Sequence, residues 1–159
     1  MLQHTEDHLK RIQKILRGEQ GLFWRLKKVA LYLLETHDLA CVGIFRCVGD
    51  ELDDYVYITG NQEGEDVGRF AALSDTLPGA ARSQVKVIAS RFIKQKNPVH
   101  APHRVSELVV PIQNFQQIVG ALHVERTDGR GISPAERQLF EQAARLIGRH
   151  FIPTVIHVG

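Results

Sequence analysis

The chain has 159 residues, enough for one domain with a sizeable core. Hydrophobic residues make up 43% and charged residues 24%, with a formal net charge of +2. This composition excludes collagen-like, low-complexity and disulfide-framed secreted folds, and the small net charge gives no argument for nucleic acid.

Residues His4–Arg17 carry Leu9, Ile12, Ile15 and Leu16 at helical spacing, with Thr5 as a candidate cap. Leu22–Glu35 has the same period, with Leu22, Phe23, Leu26, Val29, Ala30, Leu33 and Leu34 on one side. Gly18 and Gly21 separate the two, or bend them within one helix. Ala40–Val48 reads as a strand, Gly49–Asp54 as a turn and Tyr55–Thr59 as the partner strand of a hairpin. Val67–Phe70 is a short candidate strand, and Ala81–Lys96 a third helix ended by Asn97-Pro98. Val99–Arg104 is extended, because Pro98 and Pro102 disfavour helix. Glu107–Gln113 and Gln117–Glu125 form a second hairpin about Asn114-Phe115-Gln116. Ser133-Pro134-Ala135-Glu136 combines a cap, a first-position proline and an acid three residues after the cap, so a helix begins there and runs to about His150. This order predicts an α+β fold, with one antiparallel sheet and helices on one of its faces.

Charge is unevenly laid out. Eight carboxylates lie between Asp50 and Asp75, and six bases without an acid lie between Arg82 and Arg104. The two segments are either solvated faces or a steering field for a charged partner. No apolar run approaches the ~20 residues of a membrane span, and no secretory leader is visible, so the expected address is the cytoplasm without membrane or nucleic-acid partners.

Cys41 and Cys47 are the only cysteines and fall on one predicted strand. Six residues of strand span about 20 Å, too far for a disulfide, so both are expected as buried thiols acting as small hydrophobes. There is no Cys/His spacing of the zinc type, and no metal site is expected. His4 and His8 lie one helical turn apart, but no third ligand accompanies them.

Ser106-Glu107-Leu108-Val109-Val110-Pro111-Ile112, a turn, and Ile118-Val119-Gly120-Ala121-Leu122-His123-Val124-Glu125 resemble the closing hairpin of a GAF domain. The helix start at Ser133 and Phe92–Val99 upstream fit the same family, and the resemblance runs from about Leu22 to His150. It implies an antiparallel sheet of about six strands, terminal helices on one face that pair with a second copy, and a small-molecule pocket on the other face. It also divides the chain into an N-terminal helix over residues 1–20, a GAF-like domain over 21–152 and a tail over 153–159. The implied function is that of a sensory or regulatory domain in a homodimer, with a ligand the sequence does not name. The alternative is a dimerisation or protein-interaction module with a degenerate pocket.

Sharper family readings fail on the residues. Members that reduce free methionine-R-sulfoxide carry a cysteine where His100 stands, a further cysteine near Gly79–Gln84, and aspartates where His123 and Glu125 stand. No enzyme activity is therefore expected. The cyclic-nucleotide pattern is poorly matched at Asn61-Gln62 and after Phe70, and no cysteine follows Leu52 to hold a bilin.

The pocket residues implied are Phe45, Tyr57, Phe70, His100, Glu107, His123 and Glu125. Alternation puts His123 and Glu125 on one strand face, and Glu107 with Val109 and Pro111 on another. Buried together, a histidine between two carboxylates would gain proton affinity and suit a cationic ligand. Half-exposed at a strand end, His123 and Glu125 would simply pair.

Overall fold

A computed structural model describes residues 2–48, 51–60 and 106–151. The elements are α1 (Leu2–Leu16), α2 (Leu22–Thr36), β1 (Cys41–Val48), β2 (Glu51–Thr59), β3 (Ser106–Asn114), β4 (Gln117–Arg126) and α3 (Pro134–Gly148). The sheet is antiparallel in the order β2-β1-β4-β3. Four strands are present among the described residues rather than six. The expected helix Ala81–Lys96, the strand Val67–Phe70 and the extended run Val99–Arg104 lie outside them.

Alternation assigns one sheet face to the helices. Val42 and Ile44 of β1 lie opposite Val124 and Leu122 of β4, which in turn lie opposite Leu108 and Val110 of β3. All six belong to the core, together with Leu26, Val29, Ala30 and Leu33 of α2 and Phe140, Ala143, Ala144 and Ile147 of α3. The α2 set follows the i, i+3, i+4, i+7 pattern that defines one helical stripe.

Helix ends are tied down by identifiable groups. Ser133 Oγ accepts from the Glu136 N–H at 3.1 Å, and the Glu136 carboxylate accepts from the Ser133 N–H at 3.1 Å. That is the capping box the sequence indicates, with Pro134 in the first turn. At the other end of α3, Asn114 Nδ2 donates to the carbonyls of Gly148 and Phe151, both at 2.8 Å. These bonds join the end of β3 to the last carbonyl of α3, which the helix itself leaves without a partner, and to one three residues beyond it. Arg25 donates to the Leu16 carbonyl at 2.6 Å and to the Gln20 carbonyl at 2.7 Å, closing the turn between α1 and α2.

Three expectations change here. The helix α1 begins at Leu2, so Thr5 is inside it rather than a cap. The strand β2 begins at Glu51, because the hairpin pairing Val48↔Glu51 through Phe45↔Asp54 absorbs residues expected in a turn. The stripe of α1, expected to pair with a second copy, turns inward at two positions: Ile12 and Leu16 are 0% exposed and join the common core, while Leu9 is half-buried. A helix with a narrow stripe needs one apolar groove, and α1 finds it against α2 and α3.

The β3–β4 turn is built from Phe115 and Gln116, with φ of 49° and 68°. Two consecutive left-handed residues match the twist of a two-residue hairpin, but that turn favours Asn-Gly. Phe115 is also 99% exposed. Replacing the pair by Phe115→Asn and Gln116→Gly is expected to stabilise the fold by about 1 kcal/mol, raising Tm by about 2–4 °C. An unchanged or lowered melting curve would show that the two side chains contribute more than the strain costs.

Candidate functional site on the second sheet face

The other face of the sheet is polar at its centre. In strand order, one row sets Cys41 of β1 opposite Glu125 of β4, and Glu125 opposite Glu107 of β3. The next row sets Tyr57, Gly43, His123 and Val109 side by side. The third sets Phe45 opposite Ala121, and Ala121 opposite Pro111. Nine of the ten β4 residues are buried, so this strand is shielded on both faces.

Three polar side chains meet there. Cys41 Sγ lies 3.8 Å from His123 Nδ1, and the thiol donates to Glu125 Oε2 at 3.6 Å. Cys41, His123 and Glu125 are each 0% exposed. Gly43 and Phe45 shape the neighbouring row. A Cβ at Gly43 would stand 2.4 Å from Phe45 Cε2, so the missing side chain is the space the Phe45 ring occupies. The Phe45 and Tyr57 rings meet edge to face, with centroids 6.3 Å apart.

Burial governs the protonation of His123. Removal from water pushes its pKa down to about 3, so the imidazole is neutral near pH 7. The gain in proton affinity expected from flanking carboxylates is therefore corrected, because burial disfavours the cation. Full burial likewise overturns the half-exposed alternative for His123 and Glu125. The neutral ring lies beside a thiol and a carboxylate. Such a set can relay hydrogen bonds, ligate a cation, or hold the polar part of a ligand.

Of the residues expected at the site, Phe45, Tyr57, Glu107, His123 and Glu125 fall on this face, with Phe45 buried and Tyr57 and Glu107 partly buried. Phe70 and His100 lie outside the described residues. Cys41 is the member that sequence reasoning missed. It was expected only as a small hydrophobe, which its contacts with His123 and Glu125 correct. Alternation alone puts Cys41 with Gly43 and Phe45, but nothing local says that β1 pairs with β4. Both cysteines are buried thiols outside any disulfide, as expected. The pair His4 and His8 does not converge: His4 is exposed, and His8 Nδ1 lies 2.6 Å from the Tyr32 hydroxyl. Among the described residues, no helix is long and apolar enough to cross a membrane.

An antiparallel sheet with helices on one face and a buried polar cluster on the other defines a small α+β domain. The chain belongs to the GAF domain family, whose model matches residues 9–151. The family comprises small-molecule-binding regulatory domains. Solved structures agree in fold. The GAF domain of a phosphoenolpyruvate-protein phosphotransferase from Coxiella burnetii is 16% identical, with TM-score 0.61 over 91% of this chain and 90% of that one. Free methionine-R-sulfoxide reductase from Neisseria meningitidis, in complex with its substrate, is 14% identical, with TM-score 0.61 over 92% of this chain and 87% of that one. The phycocyanobilin-bound GAF domain of a cyanobacterial phytochrome is 14% identical, with TM-score 0.63 over 91% of both chains. No curated protein matches the sequence. At these identities the likeness is one of fold.

Proposed function

We propose that the chain is a non-enzymatic sensory domain that binds a small molecule on the sheet face away from its helices. The observation that carries this reading is the fully buried trio of Cys41, His123 and Glu125 beside the aromatic pair Phe45 and Tyr57. Buried polar groups are costly, and a core built only for stability would avoid them. A change on this face passes through β1 and β4 to the helices packed on their opposite side. In this reading the terminal helices α1 and α3 carry the output, in a cytoplasmic homodimer. The first and last described helices pack on one another, so both feel the same displacement.

The absence of enzymatic activity is part of the proposal. The positions that carry the reductase family's pattern hold His100, His123 and Glu125 here, and Cys41 approaches the site from a different strand. The second reading, an interaction module with a filled pocket, is favoured by the tight packing of Phe45 over Gly43.

Native mass spectrometry of gently purified protein, followed by a thermal-shift screen over a metabolite panel, separates the two. The sensory reading expects a dimer carrying extra mass, or a compound that raises Tm by binding the native state alone. A bare protein that no compound stabilises would favour the interaction module. A monomer at every concentration would remove the dimer from the proposal.

A further inference from the structure

We propose that Cys41 Sγ, His123 Nδ1 and Glu125 Oε2 form a binding site for a divalent transition-metal ion of the zinc type. The inference deepens the sensory reading and rests on its assignment of this face as the binding side.

The donor atoms of the three residues lie within 4.8 Å of one another, the only such group of metal-ligating side chains among the described residues. In a tetrahedral site with Zn–S near 2.3 Å and Zn–N or Zn–O near 2.0–2.1 Å, sulfur should sit about 3.6 Å from each lighter donor. The observed separations from Cys41 Sγ are 3.8 Å to His123 Nδ1 and 3.6 Å to Glu125 Oε2. On the two sulfur separations an ion seats with a contraction of a few tenths of an ångström, while the imidazole nitrogen and carboxylate oxygen, within 4.8 Å of one another, must close to about 3.4 Å by rotamer adjustment. The backbone holding the donors is rigid. Cys41 and Glu125 are direct cross-strand partners, and His123 follows two residues earlier on the same face of β4.

Ligand chemistry selects the metal class. One sulfur, one imidazole nitrogen and one carboxylate oxygen suit zinc, cobalt or related ions, whereas magnesium and calcium favour oxygen donors. As the sulfur–metal bond forms, the thiol proton passes to solvent. Thiolate and carboxylate together then balance the two positive charges, with the imidazole neutral. Three protein ligands leave one tetrahedral position, which an anionic or nitrogen-bearing group of a small molecule can fill.

The test uses the full chain, refolded from denaturant with Co2+ so that burial does not bar entry. Expected is one cobalt per chain, with thiolate-to-cobalt charge-transfer absorption and the intense visible bands of a tetrahedral site, both bleached by Zn2+. Cys41→Ser should abolish the charge-transfer band, and Cys47→Ser should keep it. His123→Asn and Glu125→Gln should each weaken binding by about 100-fold or more, since even outer-shell changes cost 10–100-fold. Refolded wild-type protein with native circular dichroism and no charge-transfer band would overturn the site. So would a band that survives Cys41→Ser or disappears in Cys47→Ser. Wild-type protein makes the decisive reading, so a variant that misfolds does not rescue the proposal. The thermal-shift screen, repeated on metal-free protein, separates the two readings. A small molecule that stabilises protein unable to bind cobalt overturns the metal site while the sensory reading stands. Cobalt bound with no stabilising compound supports the site and counts against the sensory reading.

Discussion

Replacing Arg126 by alanine is expected to lower the unfolding free energy by about 2–3 kcal/mol, less than the ~3–5 kcal/mol for breaking a fully buried ion pair, because the Glu136 side chain is 22% exposed. The Arg126 side chain is 4% exposed, and its guanidinium serves three elements at once. Nη1 donates to the Gly131 carbonyl at 2.9 Å and to Glu136 Oε1 at 3.0 Å. Nη2 donates to Glu136 Oε2 and to the His37 carbonyl. The end of β4 is thereby fastened to the first turn of α3 and to the C-terminal cap of α2. Alanine takes the guanidinium from two carbonyls and from the Glu136 carboxylate, which keeps only the Ser133 N–H, and it also removes the packing of the stem. Urea unfolding measures the loss, and a change below about 1 kcal/mol would mean that water replaces the guanidinium at no cost. Acid reports on the same pair. Burial pushes the Glu136 pKa up, but the bonds from Arg126 and from Ser133 outweigh it, and the net position is below the ordinary 4.5. A depressed carboxylate stabilises fully above its unfolded value, and the contribution is lost as pH falls through the folded one. The stability gap between wild type and Glu136→Gln should therefore be widest near neutrality and shrink below about pH 4.5.

Gly120→Val should cost about 3 kcal/mol or more, at the upper end for overpacking. Gly120 pairs with Arg46 of β1 and Ile112 of β3, next to a bulge in which Val119 is the extra residue. A Cβ at Gly120 would stand 2.0 Å from the Phe45 carbonyl oxygen and 3.1 Å from its carbon. The obstacle is backbone, so no rotamer change relieves it, and β1 must move away from β4. That seam also holds Cys41 against His123 and Glu125, so binding at the site should fall along with stability. Gly21→Ala is the matched control. Nothing lies within 4 Å of its Cβ, and its φ of −56° is open to any residue. Differential scanning calorimetry on both variants checks the pair, and equal small shifts would contradict the close-approach argument.

The sequence alone determined the local structure wherever a short-range rule applies. The α2 stripe, the Ser133–Glu136 capping box and the two hairpins are set by neighbours a few residues apart, and each was legible. The pairing of His123 with Glu125 on one strand face was legible for the same reason, since strand period is two. The tertiary structure decided what depends on distant segments. That Ile12 and Leu16 of α1 enter the domain's own core cannot be read from their period; it follows from packing against α2 and α3. The protonation of His123 depends on how much water surrounds it, and burial reversed the direction that its flanking charges suggest. Cys41 meets His123 and Glu125 across 82 and 84 residues of chain, through the pairing of β1 with β4. Periodicity says which residues share a face, but only strand order brings one face's sulfur to another strand's imidazole and carboxylate.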